Sequence, residues 1–165
     1  MKLKMSLERA KMNKNNLIAS FQIDHLTLLP GLYLSRSDKG VLTYDLRFTA
    51  PNREPVLSTG IGHAIEHLAA TYFRNSTKGD KIVYFGPMGC RTGFYLLVWD
   101  DLSFRAVYEL IIAAMDYICE FSGQIPGSSP AECGNYSDMD LPGAKAAAAH
   151  YKQVLLERGD RSPNY

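Results

Sequence analysis

A pair of histidines at helical spacing constrains this chain more than any other feature of its sequence. His63 and His67 are four residues apart, so on an α-helix they lie one turn apart on the same face. Two imidazoles in this arrangement can bind one transition-metal ion, because imidazole is a good ligand for Zn, Cu, Fe and Ni. Glu66 lies beside them, where a carboxylate can transfer protons without being a ligand. The motif therefore predicts a helix that binds a metal and takes part in catalysis.

The residues on either side of this motif favour a helix over about 60–75. Ser58, Thr59 or Gly60 can cap its start, since serine, threonine and glycine are all found at helix N-caps. One face of the stretch is apolar at the helical period, through Ile61, Ile65, Leu68, Ala69, Tyr72 and Phe73. We therefore expect the motif to lie on an amphipathic helix.

The composition is that of one ordinary globular domain. The chain has 165 residues, of which 46% are hydrophobic and 21% are charged, and its formal net charge is +1. This small charge gives no reason to expect nucleic acid or a membrane surface as a partner. No apolar run approaches the roughly 20 residues that cross a bilayer. We expect a single catalytic metal-binding domain over 17–160, between two short tails.

The tails are residues 1–16 and 161–165. The first tail is basic, and we expect it to be poorly ordered. Because it lacks the apolar stretch of a signal peptide, we expect the protein to stay in the cytoplasm. The chain has three cysteines, at 90, 119 and 133, and an odd number without an export signal argues against a disulfide framework.

The order of elements predicts an α+β fold. Strands are expected at 32–35, 41–49, 82–85 and 94–99, and helices at 60–75, 102–121 and 141–158. Apolar and polar residues alternate along 41–49, so one face should join the core while the other presents Asp45 and Arg47. A turn at 37–40 should close a hairpin. Because strands and helices are segregated, we expect an antiparallel sheet with helices packed against one face, and the metal site on a central helix.

The two histidines need at least one more ligand, and the candidates are Cys133, Cys90 and various carboxylates. Two histidines with one thiolate would leave a tetrahedral position open, as in catalytic zinc sites. Cys90 lies in the glycine-rich stretch 86–93, whose glycines permit unusual backbone angles. A nearby cation would lower the pKa of its thiol and provide a thiolate base; a buried loop cysteine is the alternative. Cys119, on a predicted helix, is interpreted as a small core residue.

Several motifs occur in the order found in one known family. They are HAIEHL at 63–68, GPMGCRTGFY at 86–95 and ECG at 132–134, preceded by YDLRF at 44–48 and PN at 51–52. Together they resemble S-ribosylhomocysteine lyase, the LuxS family of bacterial autoinducer-2 synthesis. The resemblance covers about residues 18–159. It is specific because separate motifs occur in the right order, and no single motif would suffice.

The resemblance implies an enzyme that cleaves the thioether of S-ribosylhomocysteine, giving homocysteine and 4,5-dihydroxy-2,3-pentanedione. It implies one divalent metal ion per subunit, Fe(II) in the native state with Zn or Co able to substitute. The implied metal ligands are His63, His67 and Cys133. The implied acid/base groups are Glu66 and Cys90.

The resemblance also implies a homodimer with active sites at the subunit interface. The implied substrate contacts are Ser20, Phe21, His25 and Arg47. From local sequence alone, His25 is more simply interpreted as a core histidine. Arg47 is more simply interpreted as an arginine that is ion-paired or solvated. Tyr84 stands where the family commonly has an aspartate, so a substrate-facing carboxylate is missing there.

Two other functions fit parts of the pattern. The spacing His-x-x-Glu-His is also the signature of inverzincin metallopeptidases, in which the glutamate is a general base. That class would need a third carboxylate ligand, and the predicted helix 141–158 offers only Glu157 near its end. A non-catalytic metal-binding module would instead need a closed site of four protein ligands, for example with Cys90 added to Cys133 and the two histidines.

Overall fold

The computed structural model describes residues 23–159 and residue 165. In this part of the chain the strands are β1 (Gly31–Asp38), β2 (Val41–Arg47), β3 (Ile82–Pro87) and β4 (Gly93–Trp99). The helices are α1 (Thr59–Asn75), α2 (Phe104–Glu120) and α3 (Leu141–Arg158). Chain order is β1, β2, α1, β3, β4, α2, α3. The predicted α+β class is confirmed.

The strands form an antiparallel sheet in the order β1-β2-β4-β3. β1 and β2 make the predicted hairpin, but its turn is tighter than expected, because only Lys39 and Gly40 separate the paired residues. Both have positive φ, 50° and 86°, as a two-residue type I′ turn requires. β2 ends at Arg47 instead of residue 49, because the next two backbone N–H groups donate to the Thr92 carbonyl.

The core lies between one face of the sheet and the helices. The ring of Phe48, just beyond β2, stacks on Tyr151 of α3 with ring centroids 3.9 Å apart. The Tyr151 hydroxyl donates to the Gly31 carbonyl of β1 at 2.9 Å. Other buried members of this core include Tyr44, Leu46, Ile65, Leu68, Phe73, Phe94, Leu96, Ile111, Met115 and Ala148. The predicted packing of helices against the sheet is confirmed.

Side chains and glycine define the helix ends. The Ser58 hydroxyl caps α1 by accepting a hydrogen bond from the Ile61 N–H at 3.2 Å, which is one of the predicted caps. Asp140 caps α3 in the same way. Gly159, with φ 68°, ends α3 as a C-cap. The predicted limits of α3 are therefore confirmed.

The predicted tails fall outside the described residues, apart from Tyr165, and so do Ser20 and Phe21. A search of the described helices for one that could cross a membrane, by length and hydropathy, finds none.

Candidate active site

The side chains of His63, His67 and Cys133 converge, and we call these three residues the donor cluster. His63 Nε2 lies 3.2 Å from His67 Nε2 and 3.3 Å from Cys133 Sγ. α1 places the imidazoles one turn apart, and the loop between α2 and α3 brings in the thiol. The predicted donors are thus brought together, and Cys133 rather than Cys90 completes the group that could hold an ion.

The geometry of the donor cluster fits a divalent transition metal. For a tetrahedral ion with bonds of about 2.0 Å to nitrogen and about 2.3 Å to sulfur, the ligand atoms lie roughly 3.3–3.6 Å apart. Two of the three separations, 3.2 and 3.3 Å, are close to this range, and all three donor atoms lie within 4.8 Å of one another. Imidazole and thiolate also suit Fe or Zn better than Mg or Ca. Three protein donors leave a fourth tetrahedral position open to a substrate atom.

Each imidazole of the donor cluster makes a second contact, through its Nδ1 atom. His63 Nδ1 lies 2.5 Å from Asp138 Oδ1, and His67 Nδ1 lies 2.9 Å from the Pro126 carbonyl oxygen. When Nδ1–H donates to oxygen, the Nε2 lone pair is left to face the ion. Sequence analysis missed both partners, since the contacts join residues distant in the chain. The only sequence signal for Asp138 is a carboxylate shortly after Cys133.

Cys90 lies in a tight loop between β3 and β4. The glycines of this loop could permit unusual backbone angles, but the residue with positive φ is Arg91, at 60°. Gly93 serves a different purpose: a Cβ there would lie 2.1 Å from the Leu46 carbonyl oxygen, so glycine lets β4 approach β2. The Arg91 carbonyl accepts a hydrogen bond from the Leu57 N–H at 3.0 Å. The loop is thereby attached to the segment that precedes α1.

The environment of Cys90 favours its thiolate. Its Sγ lies 3.1 Å from the Thr92 hydroxyl, which in turn accepts a hydrogen bond from Arg47 Nη1. Partial burial raises the pKa of the Cys90 thiol, but the hydrogen bonds of Thr92 and the charge of Arg47 outweigh it, so the pKa falls below its ordinary value. Cys90 is exposed, so its thiolate is accessible. The role of Thr92 was not predicted.

Arg47 is ion-paired in the interior and is not presented on an open polar face. Its side chain is 2% exposed, and Nη2 lies 2.5 Å from Oδ2 of the fully buried Asp45. The Tyr165 hydroxyl donates to the same oxygen at 2.9 Å. Burial raises the pKa of the Asp45 carboxyl, and Arg47 and Tyr165 oppose that rise. Within the described part of the chain, Arg47 Nε and Asp45 Oδ1 are buried without a hydrogen-bond partner.

Glu66 and His25 are the remaining predicted site residues within the described part of the chain. Glu66 is partly buried on α1, directly before His67. His25 is partly buried, and its Nδ1 lies 2.8 Å from the Ile23 carbonyl oxygen. A protonated His25 would oppose the burial-driven rise in the pKa of Asp45, after Arg47 and Tyr165 in order of effect.

A cavity of about 370 Å³ lies between the start of α1 and the Cys90 loop. Its lining includes His63, Met88, Gly89, Arg91 and Asp138. One member of the donor cluster and the residues on both sides of Cys90 therefore border a shared space. The volume is in the range of small-molecule sites.

The geometry does not support the two alternative functions. An inverzincin-type metallopeptidase would need a carboxylate as third ligand, whereas the third donor is the Cys133 thiol and Glu157 is exposed near the end of α3. A closed four-ligand module would need Cys90 in the group. Among residues 23–159, the group that could hold an ion contains only the donor cluster, and Cys90 instead contacts Thr92.

Comparisons with known proteins agree with this arrangement. A family model described as S-ribosylhomocysteinase (LuxS) matches residues 18–161. The S-ribosylhomocysteine lyase of Finegoldia magna is 49% identical over 144 residues, covering 85% of this chain and 92% of the relative. Those of Clostridium beijerinckii and Borreliella burgdorferi are 50% and 46% identical, each covering 84% of this chain and 91% of the relative. The chain therefore belongs to the S-ribosylhomocysteinase (LuxS) family.

Proposed function

We propose that this protein is an S-ribosylhomocysteine lyase, which converts its substrate to homocysteine and 4,5-dihydroxy-2,3-pentanedione. The observation that carries the proposal is the donor cluster beside the Cys90 loop, in a chain of this family. Relatives covering most of the chain bear the name of that activity. The fold supplies what such a reaction needs, namely a metal-ligand set and an accessible thiol with a lowered pKa.

The reaction is difficult because the bond to be broken is distant from the activating carbonyl. The sulfur is bonded to C5 of the ribose, whereas the aldehyde carbon is C1, so no acidic proton lies beside the leaving group. The carbonyl must first move to C2 and then to C3, each time by removal of a proton from one carbon and its return to a neighbour. Loss of the C4 proton then expels the sulfur as a thiolate, and the remaining enol tautomerises to the dione.

We propose that His63, His67 and Cys133 hold one divalent ion per subunit, Fe(II) in the native enzyme, with Zn or Co able to substitute. When bound, such an ion stabilises the negative charge that develops as a proton leaves the carbon next to a carbonyl. The Cys133 thiolate reduces the net charge of the site, which suits repeated and reversible carbonyl polarisation.

We assign the proton transfers to Cys90 and Glu66. The chain of hydrogen bonds from Arg47 through Thr92 lowers the pKa of Cys90, so a thiolate base is available nearer neutral pH. Glu66 directly precedes His67 on α1 and can return a proton to carbon or to the departing thiolate. General acid–base steps of this kind typically contribute about 10²–10⁴-fold each.

We propose substrate contacts at Ser20, Phe21, His25 and Arg47. In support, the buried Arg47 Nε has no partner among residues 23–159, and a buried donor of this kind is stabilised by a polar ligand. This observation supports a contact between a polar group of the substrate and Arg47.

We also propose that the protein is a homodimer with active sites at the subunit interface. The sheet face that points away from the helices carries exposed aromatic side chains, since Tyr84 is 50% exposed and Trp99 is 47% exposed. Leu97, on the same face of β4, pairs with Tyr84 of β3. Exposed apolar surface of this kind is typical of interaction sites. Ser20, Phe21 and His25, near the N-terminus, would then serve the active site of the partner.

We further propose that residues 17–160 form one catalytic domain that works in the cytoplasm. The family model spans residues 18–161, and a hydrophobic core runs through the described residues. The three cysteines are free, as expected in a reducing compartment.

Release of free thiol from S-ribosylhomocysteine tests the proposed function. Protein purified without oxygen and loaded with Fe(II) is expected to release one homocysteine for each dione formed. Metal-stripped protein is expected to release none until Fe(II) is restored. Protein that binds the ion firmly but leaves S-ribosylhomocysteine intact would refute the proposal, and peptide cleavage by the same sample would favour a metallopeptidase.

A further inference from the structure

Asp138 contacts the donor cluster without belonging to it. Its Oδ1 lies 2.5 Å from His63 Nδ1, and the two side chains are 30% and 19% exposed. The residue ends the short 3₁₀ turn Tyr136–Asp138, which lies between Cys133 and α3. The contact therefore joins the segment after one donor to the imidazole of another.

The contact reaches the nitrogen of His63 that faces away from the cluster. His63 Nε2 faces His67 and Cys133, and the two nitrogens of an imidazole ring point in diverging directions. A carboxylate bound to Nδ1 therefore lies on the far side of the ring from an ion held by the cluster. From there it can accept the Nδ1–H hydrogen bond, fix the tautomer and ring orientation, and make Nε2 a stronger ligand.

The two histidines of the cluster differ in this respect. His67 Nδ1 contacts the neutral carbonyl of Pro126, whereas His63 Nδ1 contacts a carboxyl group. A hydrogen bond to an ionised acceptor is roughly twice as strong as one between neutral groups. His63 is therefore the imidazole whose orientation and ligand strength depend most on a single side chain.

Backbone contacts hold Asp138 in place. The Asp140 N–H donates to the Gly60 carbonyl in the first turn of α1 at 3.0 Å. A Cβ on Gly60 would lie 2.2 Å from the Asp138 carbonyl oxygen, so the close approach depends on glycine. Asp140 then caps α3 by accepting a hydrogen bond from the Gly143 N–H at 2.9 Å. The segment that carries the Asp138 carboxylate is thus held between the first turn of α1 and the start of α3.

We propose that Asp138 is a positioning residue of the metal site, which acts through His63 to orient that ligand and strengthen its bond to the ion. This inference rests on the metal site of the proposed function. Removal of such a partner typically weakens metal binding by about 10–100-fold. The carboxylate also adds negative charge to the rim of the cavity that it lines.

Co²⁺ binding to the full chain tests this role without relying on turnover. Metal-free wild type, Asp138→Ala and Asp138→Asn are titrated with Co²⁺ in competition with a chelator of known affinity, and the visible absorption of bound Co²⁺ is recorded. Asp138→Ala is expected to bind about 10–100-fold more weakly, with shifted absorption bands. Asp138→Asn keeps an oxygen acceptor but not its charge. Its affinity for Co²⁺ should therefore lie between those of the wild type and Asp138→Ala.

Asp140→Ala is the matched control for simple loosening of the segment. It removes the α3 cap but leaves the Asp138–His63 contact, so it should lower Tm and still bind Co²⁺ like the wild type. Wild-type affinity and spectrum in both Asp138 variants, or equal losses in Asp138→Ala and Asp140→Ala, would overturn the inference. If Asp138→Ala fails to fold, the Co²⁺ affinity and spectrum of Asp138→Asn, compared with those of the wild type, test the inference. A wild type that binds no Co²⁺ would instead refute the metal site of the proposed function.

Discussion

The exposed thiol of Cys90 is connected to the buried interior of the sheet by one hydroxyl group. Arg47 donates to the Thr92 oxygen, and that oxygen lies 3.1 Å from Cys90 Sγ. A hydroxyl that accepts from Arg47 still has its own hydrogen to donate to the sulfur. Donors aligned in this way polarise one another. The Thr92 hydroxyl therefore links Arg47 to the sulfur, and Arg47 itself also lowers the pKa of Cys90.

Removing that hydroxyl should raise the pKa of Cys90. In Thr92→Val the thiolate loses a hydrogen-bond donor that lowers the pKa. Burial, which raises the pKa, is then opposed less strongly. The rate of alkylation of Cys90 by iodoacetamide, followed against pH by mass spectrometry, gives the pKa. The midpoint for the wild type should lie below that of an ordinary cysteine, and the midpoint for Thr92→Val should lie higher. Thr92→Ser keeps the hydroxyl and should match the wild type; equal midpoints in all three proteins would contradict the role of Thr92.

The residues that carry chemistry were easier to predict from sequence than those that support them. His63, Glu66 and His67 share one helix, so spacing alone indicates their common site. The residues left two cysteines and various carboxylates as candidates for the third ligand. Only the resemblance to a family singled out Cys133, which contacts a histidine 70 positions away. The contacts of Asp138 and Thr92 arise only in the folded chain. No local pattern encodes them.

At the scale of elements, the first turn of α1 is the junction on which the metal site depends. It carries Gly60 against the 3₁₀ turn and lies one turn before the imidazoles. The Ser58 cap fixes where this turn begins. Close packing of α1 against the segment that follows Cys133 therefore determines the position of the two imidazoles relative to the Cys133 thiol.

A side chain at Gly60 should push these parts away from each other. Gly60→Ala would place a Cβ 2.2 Å from the Asp138 carbonyl oxygen, which is backbone and cannot simply rotate away. Overpacking of this kind typically costs about 1–3 kcal/mol. Urea unfolding is expected to show such a loss in the free energy of unfolding, together with weaker metal binding.

Gly62 in the same helix is the matched control. A Cβ there meets nothing within 4 Å, and alanine is favoured over glycine inside a helix by about 1 kcal/mol. Gly62→Ala should therefore be neutral or stabilising. If both variants lose the same stability, the close contact at Gly60 is not the cause.

The elements themselves were predicted better than their ends. Apolar residues at the helical period located α1 and α2, and the alternation of apolar and polar residues located β2. β2 is shorter than predicted because the N–H groups of Phe48 and Thr49 donate to the carbonyl of Thr92, which is distant in sequence. α2 begins at Phe104, after the Ser103 cap, whereas the prediction began it at residue 102. That cap was visible in the sequence, since serine is a preferred N-cap.

At the scale of the whole molecule, the donor cluster joins α1 to the loop between α2 and α3. A bound ion stabilises only the folded state. Removing the ion with a chelator should therefore lower Tm. Free metal at a hundredfold excess over Kd should raise the free energy of unfolding by about 2.7 kcal/mol. His67→Ala loses one ligand, so its Tm in a thermal melt should no longer respond to added Zn²⁺. A wild-type Tm that is indifferent to chelator and metal would contradict the metal site.

The proposed homodimer predicts that the exposed sheet face is buried between subunits. Trp99→Glu places a charge there, so sedimentation equilibrium should show a shift from twice the chain mass of 18.4 kDa towards the single chain. Leu156, 52% exposed on α3, provides a control, because Leu156→Glu changes a different surface. A monomeric wild type would contradict the homodimer. A dimeric Trp99→Glu would place the interface elsewhere. No pattern in the sequence indicated assembly, and only the resemblance to a family did so.

The most direct measurement compares thiol release from S-ribosylhomocysteine by wild type, Cys90→Ala and Cys119→Ala, with metal content determined in the same samples. Cys119 is a free thiol on α2 that contacts the Lys145 carbonyl, so its variant should keep wild-type turnover. Cys90→Ala should keep its metal and lose about 10²–10⁴-fold or more in rate. Metal-loaded Cys90→Ala that releases homocysteine at the wild-type rate would contradict the proposed mechanism.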